Sequence, residues 1–303
     1  MYTLCMVDFT TAQVKELLKM AKESNHCRND DFKEFDPITY LETRYLKTTD
    51  QFRFLFPLQK YHEIFTQLFS DCKDKLRILE YGCGPVIMYV ISAAPSASEI
   101  VMADKVPECL DELKRWIHQD RRAFDWTTHF DHVVQTLEGK GEKEAREREM
   151  EVRKKIKAVV HCDIFEDNPI ESGYEGPYDI IMANGCIDGA CKSIEEFNAG
   201  VIKVTRLLKP GGNLIMTTNS CNHLGRCYTY AAGQGESLTK FPFVSITREF
   251  LLATVENAGY TNLYIDECDD FKEAVASGTV GPWAVHQPDD FRGFLFICAT
   301  KKP

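Results

Sequence analysis

The sequence predicts an α/β protein whose sheet is mostly parallel, and three observations lead to that class. Short apolar runs at 77–81 and 99–104 each suit a strand buried on both faces. Between them, residues 86–94 are small and apolar, which suits a helix packed on the sheet and makes the whole stretch a βαβ unit. Further on, apolar runs of strand length alternate with amphipathic segments of helix length. At 303 residues, 44% apolar and 27% charged, the composition is that of an ordinary globular protein, and one large α/β domain with additions is the simplest reading.

Charge and cysteine content narrow the function. A formal net charge of −10 gives no basic footprint for nucleic acid and fits cationic or neutral small partners better. No run approaches the roughly eighteen apolar residues of a membrane span. The first eight residues hold neither a basic segment nor a sustained apolar core, so a soluble cytoplasmic protein without a membrane partner is expected. The 12 cysteines are scattered without paired CxxC spacing and read as reduced, buried thiols. Cys186 and Cys191 come nearest to a ligand spacing, and no metal is expected.

Taken in order, residues 9–23 place Val14, Leu17, Leu18 and Ala21 at helical spacing and predict an N-terminal helix outside the sheet. Asp36-Pro37, an N-cap acid followed by proline at the first helical position, opens a helix carrying Tyr40, Leu41 and Tyr45. Five positions set the two tyrosines about 140° apart, so both face one cleft only if the helix ends or bends between them. Residues 52–69, rich in Phe, Leu and Ile, form the helix flanking the first strand, and 109–117 continue an amphipathic helix after the second. His129 and His132 have no third ligand close in sequence and read as surface or strand-edge histidines. Residues 138–157 mix opposite charges at i,i+4 spacing and predict a solvated, inserted helix. Strands follow at 158–162, 178–183, 213–218, 262–267 and 294–300, helices at 195–208 and 247–258, and a glycine-bearing, tyrosine-rich loop at 219–243.

The strand ends carry the chemistry. In Glu80-Tyr81-Gly82-Cys83-Gly84-Pro85, glycines at i and i+2 of the first βα turn let the backbone pass close to a ligand. Asp104 ends the second strand twenty residues after Gly84, well placed for a ribose diol. Asp163 and Asn184 follow the next strands and line the same crevice. The turn lacks the third glycine that a dinucleotide pyrophosphate needs, and Glu80 would repel phosphate while accepting hydrogen bonds from an ammonium group. S-adenosylmethionine has that ammonium and no phosphate. It is the expected cofactor, with a nicotinamide-dependent dehydrogenase as the competing reading of the same unit.

With these residues assembled, the chain resembles the nicotinamide, phenylethanolamine and indolethylamine N-methyltransferase family from about Phe35 onward. The likeness rests on Phe35-Asp36-Pro37-x-x-Tyr40-Leu41-Glu42-x-x-Tyr45, Gly82-x-Gly84-Pro85, Ala123-Phe124-Asp125-Trp126, Leu137-Glu138-Gly139-Lys140-Gly141-Glu142 and Leu208-Lys209-Pro210-Gly211-Gly212. It implies a Rossmann-like methyltransferase fold, a seven-stranded mostly parallel sheet flanked by helices, with a helical lid in residues 1–70 on a single unit of residues 71–303. It implies that Tyr40 and Tyr45 close over the cofactor, Tyr45 towards its carboxylate, that Gly82, Cys83 and Gly84 approach the methionine part, and that Asp104 holds the ribose. Asp163 and Ile164 then meet the adenine and Asn184 lies under the sulfonium. Met88, Lys105 and Cys109 stand at cofactor positions where the family commonly has tyrosine, an aromatic residue and asparagine.

For the acceptor, the family's amine-specific members use acids at the positions of Asp188 and Asp289 and an aromatic residue at that of Tyr230. The nicotinamide branch uses an acid at the position of Thr218 and a serine near Phe243, and this chain keeps neither. An alkylammonium must lose a proton before it attacks a methyl group, and a carboxylate both binds it and takes that proton, whereas a pyridine needs no base. Asp188 and Asp289 are therefore the expected catalytic residues, with Tyr40, Asp188, Thr218, Tyr230 and Asp289 around the acceptor. A monomeric methyltransferase acting on a small amine is favoured over one taking a pyridine or thioether, and a non-catalytic cofactor-binding relative is the remaining alternative.

Overall fold

The computed structural model describes residues 35–225, 227–232, 239–281, 283–284, 287 and 289–303, with 227–232 and 239–242 as backbone alone. The helix expected at 9–23 lies outside the described residues. The first described helix, α1 (Pro37–Tyr45), begins as its sequence requires: Asp36 accepts from the Ile38 N–H at 3.1 Å and proline fills the first turn. A π-helical turn (Gln51–Leu55) capped by Asp50 leads into α2 (Phe56–Leu68), which buries Phe56, Leu58, Tyr61, Ile64 and Phe65.

The chain then builds β1 (Leu76–Tyr81), β2 (Ala97–Asp104), α3 (Pro107–Ile117), a short α4 (Thr127–Asp131), α5 (Glu142–Lys155), β3 (Ile156–His161) and β4 (Tyr178–Asn184). It continues through α6 (Ile187–Ala190), α7 (Ile194–Arg206), β5 (Leu208–Cys221), β6 (Cys227–Ala232), β7 (Thr239–Val244), α8 (Arg248–Asn257), β8 (Tyr260–Cys268), α9 (Phe271–Ala276) and β9 (Phe291–Lys301). Seven strands pair in the order β3-β2-β1-β4-β5-β9-β8. The first five run parallel, while β9 lies antiparallel to both β5 and β8.

Alternate residues feed two apolar layers, as a strand's twofold period demands: Ile78, Met102, Ile180 and Phe296 on one face, Leu79, Val101, Ile181 and Ile297 on the other. The chain leaves β1 towards β2 and β3 on one side and returns to β4 and β5 on the other. This reversal between β1 and β4 opens a crevice at their carboxyl ends.

Four local expectations change. Residues 86–94 form one 3₁₀ turn (Met88–Val90) and irregular turns instead of a helix. The β-branched Val86, Ile87, Val90 and Ile91 disfavour helix, and Pro95 stops it. The stretch 219–243 is no plain loop, because β5 runs on to Cys221 and β6 pairs antiparallel with β7. The charged α5 is not solvated all round: Ala145, Arg148 and Val152 are buried, Arg148 donating to Glu138 at 2.9 Å and to the Ile91 carbonyl at 3.1 Å. His129 is a core residue and not a surface one. Packed against Phe54 and Trp126, its imidazole is pushed down to about 3 by burial, with the neighbouring His132 adding to the shift.

Candidate active site

The first βα turn closes on a carboxylate. Gly82 and Gly84 adopt φ of 65° and 55°, in the left-handed region that glycine alone enters freely. That twist aims the Gly84 N–H at Asp104 Oδ2, 2.7 Å away, while Asp104 Oδ1 accepts from the Val106 N–H at 2.8 Å. Burial raises the Asp104 pKa, and the Val106, Gly84 and Lys105 N–H groups oppose it. A side chain at Gly82 would collide with Cys186, whose Sγ stands 2.7 Å from the Cβ position, whereas nothing lies within 4 Å of a Cβ at Gly84. The second glycine faces open space. That space is a cavity of about 560 Å³ along the carboxyl ends of the parallel strands.

At one end the cavity is walled by Gly82, Cys83, Gly84, Asp104, Cys109 and Ile164. Lys105 and Asp163 also line it and pair with each other at 2.8 Å. Met88 is fully buried outside the wall, and the neighbouring Tyr89 takes the place on it.

Behind the glycine loop sits an almost closed polar network. Glu80 is fully buried; its Oε1 accepts from Asn184 Nδ2 at 2.8 Å, and its Oε2 has no partner. Asn184 Oδ1 in turn accepts from the Tyr61 hydroxyl at 2.6 Å and the Thr217 hydroxyl at 3.1 Å. Burial pushes the Glu80 carboxyl up to about 8 despite the Asn184 hydrogen bond.

The other end of the cavity is aromatic and basic. Tyr40 and Tyr45 both line it, their ring centroids 5.9 Å apart, because the helix stops at Tyr45 and leaves that side chain turned inward. Tyr40, Tyr45 and Tyr89 form a hydroxyl chain, and burial raises all three, Tyr89 to about 12. Arg44 lies over the Tyr40 ring at 5.2 Å, and Arg53 lies over Phe294 at 4.4 Å and Trp283 at 4.9 Å. Asn219 and Gln287 complete this end.

The expected acceptor acids sit elsewhere. Asp188 is 1% exposed and outside the lining; it accepts from the Asn219 N–H at 2.9 Å and from the Asn219 side-chain amide, which fixes that amide at the wall. Burial raises its pKa against those hydrogen bonds. Thr218 is fully buried beside it, Asp289 is exposed away from the lining, and the Tyr230 side chain lies outside the described residues. Among the described residues no cluster of His, Cys, Asp and Glu fits a metal, and no helix is long and apolar enough to cross a membrane. The sequence reading overlooked Tyr89, Arg44, Arg53 and Asn219. A tyrosine one place after an expected one is a usable signal, but arginine in an N-terminal helix reads as surface.

Comparison with known proteins gives a consistent answer. The profile of the NNMT/PNMT/TEMT family matches residues 23–280. Nicotinamide N-methyltransferase of Homo sapiens is 30% identical over 244 residues, covering 79% of this chain and 87% of the relative. Indolethylamine N-methyltransferase of Mus musculus is 28% identical, with 75% and 82% covered. Among solved structures, phosphoethanolamine N-methyltransferase 2 of Haemonchus contortus in complex with S-adenosyl-L-methionine superposes with a TM-score of 0.54 at 13% identity. It covers 90% of this chain, which spans 58% of that larger one, and the likeness shows the shared fold.

Proposed function

The chain belongs to the NNMT/PNMT/TEMT family of S-adenosylmethionine-dependent N-methyltransferases, and from that premise we propose how its cavity divides the work between cofactor and acceptor. The observation that carries the reading is Asp104, a buried carboxylate that grips the Gly84 N–H at the cavity wall. Each of its oxygens keeps a lone pair for a ribose hydroxyl. The open space over Gly84 suits the methionine chain, and Asp163 and Ile164 suit the adenine. The unpartnered Glu80 Oε2 behind the loop matches an ammonium group reached through the loop or a water. Cys83, Lys105 and Cys109 wall the same end, whereas Met88 serves only as packing.

Bound S-adenosylmethionine would supply an electrophilic methyl group, which would pass in line to the acceptor nitrogen as the C–S bond breaks and S-adenosylhomocysteine leaves. The protein's task is mainly positioning, holding a lone pair about 3 to 3.5 Å from the methyl carbon along the bond that breaks. Tyr40 and Tyr45 cap the methionine part of the cofactor, with residues 35–70 as the described part of a lid on the unit of residues 71–303. Asp188 reaches the acceptor through Asn219, whose amide it orients, and so acts as a positioning residue. Asp289 is exposed and does not line the cavity, so no role is given to it in this arrangement. The acceptor is a small nitrogen compound, and a cytoplasmic monomer is the setting; the nine cysteines whose side chains are described are free thiols, which supports a reducing compartment.

Titration of S-adenosylhomocysteine, followed by labelled S-adenosylmethionine with a panel of amines, pyridines and thioethers, tests the reading. Binding and transfer to nitrogen are expected. A melting shift with NAD and none with S-adenosylhomocysteine would overturn it.

A further inference from the structure

The acceptor end of the cavity is equipped for an anion. Arg53 is held by its own backbone N–H, which donates to Asp50 at 2.8 Å. Its guanidinium carbon lies 4.4 Å from the Phe294 ring centre and 4.9 Å from that of Trp283, and the planar N–H fork it carries suits a two-oxygen anion. The Nε is buried, and among the described residues no carboxylate pairs with this side chain. A guanidinium in such surroundings is costly unless an anion meets it, and its fork matches a carboxylate.

Asp50 favours the Arg53 charge electrostatically but spends its hydrogen bonds elsewhere. Asp50 receives the N–H groups of Phe52, Arg53 and Gly281 and the Trp283 indole N–H, at 2.6 to 2.9 Å. Asp188 faces Asn219, and Asp289 lies outside. A second guanidinium, Arg44, lines the same end. The cofactor itself brings a sulfonium and an ammonium against one carboxylate, so a simple alkylammonium would add a third cation with no described carboxylate to receive it.

We propose that Arg53 seats a carboxylate belonging to the methyl acceptor, which is therefore a nitrogen compound bearing an acid group, amino-acid-like or a pyridine carboxylate. This rests on the N-methyltransferase reading above. The cofactor's own carboxylate is the other source of the same chemistry, because the Tyr40, Tyr45 and Tyr89 hydroxyls lie within charge range of Arg53, and affinity for S-adenosylhomocysteine separates the two sources.

The test uses the full chain, the parent beside Arg53→Gln and Arg53→Lys. S-adenosylhomocysteine is titrated first. The saturated proteins are then titrated with nicotinate against nicotinamide and with phenylalanine against phenylethylamine, and methyl transfer is measured on the same pairs. Arg53→Gln should leave S-adenosylhomocysteine affinity within about threefold of the parent and weaken the preferred acid roughly 30-fold or more, with Arg53→Lys regaining part of that loss. Its uncharged partner should change little. Indifference of both pairs to Arg53→Gln, or preference for the uncharged member throughout, overturns the proposal. So does a tenfold loss of S-adenosylhomocysteine affinity that an analogue without the carboxylate does not share, because the anion is then the cofactor's. A parent that binds no S-adenosylhomocysteine fails differently, by removing the underlying reading itself.

Discussion

The two ends of one cavity are built in different ways. At the strand-tip end, a single stretch from Glu80 to Asp104 supplies the turn, the acid and the hydrogen bonds between them, and the carboxylate of Asp104 is held by backbone N–H groups. At the aromatic end, residues from α1, the π-helical turn, the end of β5 and the C-terminal strand converge, and the polar groups are side chains standing on rings. The first design fixes one ligand shape and tolerates little change. The second leaves its side chains replaceable without disturbing the sheet, which suits the part of a methyltransferase that decides the acceptor.

The comparison breaks first on Glu80 if its burial is wrong. Its folded pKa of about 8 lies above the ordinary 4.5, so between those values the folded state holds a proton that the unfolded state has released. Stability contributed by the protonated form is complete below the unfolded value and falls as pH rises towards 8. Without cofactor, Glu80→Gln should flatten the decline in unfolding free energy between pH 5 and 8.5 by an amount on the order of 4 kcal/mol, read from denaturant titrations. Equal pH slopes in parent and variant would show Glu80 to be hydrated.

Next in size, Asp104→Ala strips the acceptor from the Gly84 and Val106 N–H groups and from the ribose. S-adenosylhomocysteine affinity should drop roughly 100-fold, and the ligand-induced rise in Tm should vanish. An unaltered dissociation constant would move the cofactor out of this end. At the opposite end, Asp188→Asn should spare S-adenosylhomocysteine binding while lowering kcat/KM about tenfold, because the amide of Asn219 loses its charged anchor. A loss that a rise in pH repairs would make Asp188 a proton acceptor and not a support. The smallest effect belongs to Tyr45→Phe, which removes one hydroxyl from the chain with Tyr40 and Tyr89 and should cost cofactor binding about 1 kcal/mol. No change there would assign Tyr45 to packing alone.

These differences also decide what could be read from the chain. The strand-tip end was legible because its parts are local: two glycines, an acid twenty residues on, and apolar runs of strand length. The sheet followed from the same periodicity, and Asp36-Pro37 marked α1 through cap chemistry that needs no tertiary context. Residues 86–94 misled because an apolar run reads alike as helix or as buried turns, and the choice rested on β-branching and Pro95. That error hid Tyr89, since the register of a 3₁₀ turn decides which neighbour faces the cavity. Arg53 and His129 were illegible for a different reason. Their surroundings come from residues 283 and 294 in one case and partly from residue 54 in the other, and no local pattern marks a polar residue that distant rings help to enclose.

The division of the cavity is tested most directly by a crystal structure of the full chain with S-adenosylhomocysteine. The ribose hydroxyls should lie on Asp104, the adenine between Asp163 and Ile164, and the amino-acid carboxylate at the Tyr45 hydroxyl, with the Arg53 fork still facing unclaimed space. A ligand whose carboxylate lies on Arg53, or whose ribose is away from Asp104, would contradict this division of the cavity, in which the cofactor reaches the aromatic end only at Tyr45.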